Sequence, residues 1–151
     1  MQQSDESDVL KAKWRDLVGG FILAFGDIEF STFFLWEKYY SQEQAPNNFK
    51  ERTGKILGKL RADRDAGPAV IESFVEALRI ADKRNTVAHH PLQVQIFQHS
   101  ETGKLITKLG ISSETTDEFI SDTELEALRI QTELLRTRIY RSLWPAQGAA
   151  R

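Results

Sequence analysis

From Asp8 to Tyr40 the residues Trp14, Leu17, Phe21, Phe25, Ile28, Thr32 and Leu35 recur three and four apart, the spacing of one helical face. This predicts a long first helix with Ser7 as N-cap and Asp8 in its first turn. A second set, Val18, Ile22, Phe30, Phe33, Phe34 and Trp36, falls off that face. The helix therefore has more apolar surface than one core-facing side can hide, and the expectation is burial on two sides, against the core and against another subunit. Gly19, Gly20 and Gly26 weaken the helix and mark a kink or a close crossing.

After the polar loop SQEQAPN, Asn48 and Glu51 form a capping-box pattern that opens a second helix, with Phe49, Ile56 and Leu60 inward and its end before Gly67. Gly67 and Pro68 suit the N-cap and first position of a third helix carrying Val70, Ile71, Phe74, Val75, Leu78 and Ala81. Pro91 stops it. The period then changes: Leu92, Val94 and Ile96 alternate with glutamines, and a Glu101-Thr102-Gly103 turn leads to Leu105, Thr107 and Leu109, a β-hairpin over about 92–111. Ser121 and Glu124 form a second capping box, for a last helix carrying Leu125, Leu128, Thr132, Leu135, Ile139 and Leu143. The expected architecture is mainly α, an up-down four-helix bundle with a small hairpin inserted between helices 3 and 4. One domain spans 8–144, between flexible termini at 1–7 and 145–151.

Composition changes this picture little. The chain has 151 residues, of which 40% are hydrophobic, enough for one core. It has no cysteine, which excludes disulfides and thiolate chemistry and fits a reducing cytoplasm, and its three histidines give little for a metal site. Neither a metal nor another cofactor is expected. No apolar stretch runs the length of a membrane span without charges or polar breaks, so no membrane partner is expected. A net charge of -2 excludes a wholesale polyanion binder. Charge is nonetheless uneven: 50–64 is basic, through residues that include Lys55, Lys59 and Arg61, and 114–126 is acidic. Each patch by itself reads most simply as a solvated face. Trp14, Trp36 and Trp144 read as core or interface anchors rather than base-stacking platforms. His99 reads as an exposed strand residue.

One segment is not explained by folding: Arg84, Asn85, Thr86, Val87, Ala88, His89, His90, Pro91. Asp82, Asn85 and His89 share a helical face, so Asn85 is placed to orient the imidazole, and both Asp82 and the helix C-terminus favour its charged form. Arg84 and His89, five apart, are separated on a regular helix by about 140° and roughly 7.5 Å of rise. Two routes bring them to one ligand: unwinding of the last turn before Pro91, or pairing of two helix ends across a dimer axis. Glu29, set among apolar neighbours, needs a partner; Arg84 is one candidate and a surface lysine or arginine another.

Arg84, Asn85 and His89 match the R-x4-6-H motif, and the chain resembles the HEPN superfamily of helical ribonucleases over most of residues 8–144. The resemblance implies a homodimer formed through helix 1 and the motif-bearing helix end, and metal-independent cleavage of RNA in the cleft between protomers to give 2′,3′-cyclic phosphate ends, as in toxins and defence effectors. It implies His89 as general acid or base, Arg84 as the group stabilising the phosphorane, and Asn85 as the positioning residue. His90 is an alternative, and Asp82 and Glu29 are supporting residues. Lys55, Lys59 and Arg61, with Arg136, Arg138 and Arg141, are candidates for holding flanking phosphates. Toxins paired with a nucleotidyltransferase antitoxin carry a tyrosine two residues after the histidine; Pro91 stands there, which disfavours that subgroup and leaves no antitoxin assigned. A noncatalytic dimerisation or RNA-binding bundle is the alternative from a different functional class.

Overall fold

A computed structural model describes residues 2–145, with side chains from residue 8 onward. Four helices, α1 (Gln2–Tyr40), α2 (Phe49–Ala62), α3 (Pro68–His89) and α4 (Asp122–Leu143), surround one core, and three strands, β1 (Leu92–Gln98), β2 (Leu105–Ser112) and β3 (Phe119–Ser121), lie between α3 and α4. The chain is thus mainly α with a small antiparallel sheet, in the order β1-β2-β3.

Local signals set most boundaries. The Asn48 side chain accepts a hydrogen bond from the Glu51 amide at 3.1 Å, and Ser121 accepts one from the Glu124 amide at 3.2 Å, so both expected caps form. Gly67 and Pro68 open α3, which stays helical through His89 and stops at the extended His90 ahead of Pro91. The start of α1 differs from expectation. It begins at Gln2, so residues 2–7 are helical and Ser7 is not an N-cap, because no glycine or proline there stops propagation toward the N-terminus. Residue 145 follows α4 as coil, and the rest of the expected C-terminal tail lies outside the described residues. The glycines do not interrupt α1. Gly20 marks a close crossing instead: a Cβ there would stand 2.8 Å from Arg129 Cδ of α4, whereas Gly19 and Gly26 face open space.

The helix directions depart from an up-down bundle. Lys13 meets Asp122, Asp27 meets Arg136 and Phe34 meets Trp144, so α4 runs parallel to α1. Phe25 meets Phe49, Thr32 meets Arg52 and Tyr39 meets Asp63, so α2 also runs parallel to α1. Only α3 runs the other way, as Lys50 with Asp82, Lys83 with Glu124 and Gln131 with Glu76 require. The reason is the loop between α1 and α2. It turns back along α1 before α2 begins, held by the Trp36 indole, which donates to the Glu43 carbonyl at 2.8 Å, and by Arg52, which donates to the Pro46 and Asn47 carbonyls.

The core takes the expected face of α1, with Phe21, Phe25, Ile28 and Leu35 fully buried beside Ile56, Phe74, Leu125 and Ile139. By length and composition α1 could cross a membrane, a test that the core helix of a globular domain also passes. Here its apolar face carries the other three helices, and both its mid-helix carboxylates, Asp27 and Glu29, are ion-paired. Its second apolar set is divided. Trp36 is buried and Val18 and Ile22 are half-buried, but Phe30, Phe33, Phe34 and also Leu23 are exposed.

The hairpin pairs Leu92 with Ile111 through Gln98 with Leu105, turning at Gly103, whose φ of 66° favours glycine. The end of the acidic linker is β3, which pairs with β2 and so adds a strand to the expected hairpin. Glu118, just before β3, ties the sheet to α3 through Lys83 and Thr86.

Candidate active site

The site is built at the crossing of α1, the start of α2 and the last turns of α3. Arg84 projects from α3 to form an ion pair with Glu29 of α1, while its Nη1 donates to Asn85 Oδ1 at 3.0 Å. Its guanidinium lies 5.2 Å from the centre of the Phe25 ring. Of the two partners expected for Glu29, Arg84 is therefore the one found, and a second arginine joins it from below. Arg52 Nη2 approaches the other Glu29 oxygen at 3.6 Å.

Arg52 is the residue of this ionic network that sequence reading missed. Its side chain is wholly buried, Nε donates to Thr32 Oγ1 at 2.7 Å, and its guanidinium covers the Phe33 ring at 3.7 Å. Burial lowers its pKa from the usual arginine value, against the opposing influence of Glu29. The signal was present: Phe49, Arg52, Ile56 and Leu60 share the buried face of α2, and an arginine on an apolar stripe demands a carboxylate partner.

Asp82, Asn85 and His89 do share one exposed line along α3, but their expected hydrogen bonds do not form. Asn85 Oδ1 is committed to Arg84, and Asp82 pairs with Lys50 at 2.6 Å. The His89 side chain is exposed and has no hydrogen-bond partner among the described residues. His90 differs. Its Nδ1–H donates to the Thr86 carbonyl at 3.0 Å, and its ring lines an apolar groove with Trp14, Val18, Val87, Leu92 and Ile111.

Because α3 remains regular to His89, the unwinding route to a common ligand is absent. Along this one helix Arg84 and His89 stay about 140° apart. Beside Arg84 a polar cleft of 420 Å³ opens between the start of α2 and α3, lined by Glu29, Asn47, Asn48, Lys50 and Asn85 among others. His89 lies one helical turn beyond Asn85 on the same line of α3.

The six basic residues proposed for flanking phosphates are not brought together. Lys55 and Lys59 lie over the rings of Trp36 and Tyr40, at 5.9 and 5.1 Å, toward the end of α1. Lys55 also pairs with Glu51 at 3.2 Å. Arg136 pairs with Asp27 at 3.1 Å, and Asp27 and Trp36, nine residues apart, project on sides of α1 about 180° apart. Arg61, Arg138 and Arg141 are exposed. Lys50, at the cleft itself, is the nearer cation. Among the described residues no group of three His, Asp or Glu side chains gathers at a separation that could hold a metal ion.

Comparison of the chain with protein-family models, with curated proteins and with solved structures gives no match.

Proposed function

We propose that this chain is a HEPN-like, metal-independent endoribonuclease acting as a homodimer, with a cytoplasmic role in the manner of a toxin or defence effector. The observation that carries the reading is the Arg52–Glu29–Arg84 ionic network on the polar cleft. Burying a cation costs several kcal/mol unless it is paired. A network that spends a buried arginine on holding a carboxylate, and that carboxylate on aiming a second, part-exposed arginine, is more than a fold requires. Arg84 is pre-aimed before substrate arrives, as electrostatic stabilisation of a phosphorane demands.

In this reading the ribose 2′-hydroxyl loses its proton and attacks the adjacent phosphorus, the bond from phosphorus to the 5′-oxygen breaks, and that oxygen takes up a proton. Products are a 2′,3′-cyclic phosphate and a 5′-hydroxyl. His89 serves as the proton-transferring group and Arg84 neutralises the equatorial oxygens. Since the two diverge on one regular helix, the Arg84 of one protomer works with the His89 of the other. Leu23, Gly26, Phe30 and Phe33 supply the surface for that pairing: they recur at spacings of three and four on the outer face of α1, with Leu23 74% and Phe30 63% exposed. Phe33, beneath Arg52, joins this stripe to the site.

The alternative, a noncatalytic dimerisation or RNA-binding module, draws on a specific observation: Asn85 is bonded to Arg84, which leaves His89 without its expected orienting partner. The discriminating experiment incubates the purified protein, with EDTA present, with a structured RNA pool, beside Arg84→Ala and His89→Ala, and maps the product ends. Cyclic-phosphate ends lost in both variants establish the nuclease. A folded, dimeric wild-type protein that cuts nothing leaves the binding module.

A further inference from the structure

Among the described residues, nothing pairs with the outer edge of β1. This strand is seven residues long and meets β2 residue against residue, without a bulge. Its sequence, LQVQIFQ, holds no charge and no proline. Edges of this length are ordinarily protected by lysines, prolines or bulges, because their unpaired amides and carbonyls template another strand. The opposite edge differs: β3 has three residues and runs directly into α4.

The hairpin turn fixes which backbone groups of β1 are open. The His99 amide donates to the Lys104 carbonyl at 2.8 Å, and this pair continues the register of Gln98 with Leu105. Hydrogen-bonded pairs alternate along an antiparallel ladder, so Gln93, Gln95 and Phe97 bond to β2, while Leu92, Val94, Ile96 and Gln98 turn their amides and carbonyls outward. The side chains of these four residues share one face of the sheet. On that face Val94 is 62% and Ile96 67% exposed, with Leu105 at 67% opposite Gln98. An open edge therefore coincides with an open apolar face.

The edge is also complementary to itself. When two copies pair antiparallel about a two-fold axis at Gln95, Val94 stands against Ile96 of the second copy and Leu92 against its Gln98. All four outward residues are used, for about eight backbone hydrogen bonds; moving the axis to Val94 or Ile96 leaves one of them unpaired. No like charges meet, and the apolar face becomes continuous across the junction. Each turn, with Glu101, then extends past Leu92 of the other copy. Leu92 lines the same groove as Lys11 and Arg15, so the acidic turn is carried toward two cations.

We propose that β1 pairs antiparallel with β1 of a second copy, in the register that sets Gln95 against Gln95, to make one continuous sheet. The contact closes on itself, because β3 is too short to extend the sheet further. It shares no residue with the α1 stripe and does not rest on the ribonuclease reading.

The chain has no cysteine, so a single thiol can report the register. Gln95→Cys sets two thiols opposite each other at a non-hydrogen-bonded pair, with Cα atoms about 4.5 Å apart and within disulfide reach. Gln93→Cys, on the same face, is offset by four residues from its copy, roughly 13 Å. Under mild oxidation of the full chain, Gln95→Cys is expected to give a disulfide-linked dimer about tenfold faster than Gln93→Cys, or more. Adding Ile96→Pro, whose lost N–H points away from β2, slows the link by about tenfold. Adding Val94→Lys instead, at an exposed side chain, has the same direction without touching the backbone. Equal rates for the two cysteines, or a link that survives both added substitutions, overturn the pairing. Gln95→Cys that never links also overturns it and leaves the edge to an extended peptide of another protein. RNA cleavage by an unlinked protein keeps the nuclease and removes this contact; a register-specific link in a protein that cuts no RNA does the reverse.

Discussion

Two adjacent histidines at the end of α3 look into opposite surroundings. His89 stands free on the line of Asp82 and Asn85 that borders the polar cleft, whereas His90 is tied to the Thr86 carbonyl and faces an apolar groove of 580 Å³ walled by Trp14, Val87 and Ile111. One helix end therefore borders a polar cleft on one side and, on the other, a mainly apolar groove whose lining also includes Lys11 and Arg15. The difference teaches that the motif by itself does not choose its histidine. The neighbours distinguish them: His89 has no hydrogen-bond partner among the described residues, whereas His90 has committed Nδ1 to the Thr86 carbonyl.

The sharpest way to break this comparison is to delete each imidazole. His89→Ala is expected to reduce RNA cleavage by about 10²–10⁴-fold, and His90→Ala to leave it within a few-fold, measured as initial rates on one RNA. The reverse ranking would move the chemistry to the apolar side. Next in size is the Arg84 side of the cleft: Glu29→Gln, which keeps the shape but removes the charge that aims Arg84, should lower the rate by roughly 10-fold or more without abolishing dimerisation. A rate unchanged in this variant would reduce the ionic network to a structural role.

Stability separates the two sides in the same way. Arg52→Ala leaves Glu29 short of a partner and Thr32 and the 46–47 carbonyls without their donor, and should cost about 3–5 kcal/mol in denaturant unfolding. Ile111→Val, trimming the wall of the apolar groove, should cost only about 0.5–1.5 kcal/mol. Comparable losses would mean that the arginine network contributes no more than ordinary packing.

The smallest expected effect concerns pH. The Lys83 hydrogen bond first, and the Thr86 hydroxyl after it, hold the Glu118 pKa below its usual 4.5 despite partial burial. A lowered carboxylate pKa stabilises the fold fully above its unfolded value and loses that contribution as the pH falls through the folded value. Wild type should therefore lose stability below about pH 4.5 more steeply than Glu118→Gln, with thermal unfolding followed from pH 6 downward. Parallel curves would show that Glu118 does not tie the sheet to α3.

The legible parts of this fold are those that short-range rules control. Asn48, Gly67 with Pro68, Ser121 and Pro91 each act within a turn or two, and the boundaries they mark stand where the sequence places them. The face of Phe21, Phe25 and Ile28 is legible because a helix presents every third or fourth residue to one side. Two local readings needed correction: α1 starts earlier than Ser7 because no breaker stops it, and the linker after β2 gains a strand because β2 offers it an open edge. In the site, the motif was readable, and so was the need of Glu29 for a cation, because a carboxylate on an apolar helix face must find one; that Arg84 rather than a surface lysine or arginine answers it was decided by the fold. The partners of Asp82 and Asn85 were not, because Lys50 and Arg84 compete for them across space rather than along the helix.

The sequence by itself determined the four helices, the starts of the last three, the hairpin and most of the residues that could do chemistry, since hydrogen bonding, propensity and periodicity act over a few residues. Tertiary structure alone decided that α2 and α4 run parallel to α1, that Glu29 is the carboxylate Arg52 meets, and that His89 and His90 have different neighbours. Those outcomes depend on how a returning loop and three packed helices share one core, and interactions between residues twenty to a hundred positions apart leave no periodic trace along the chain.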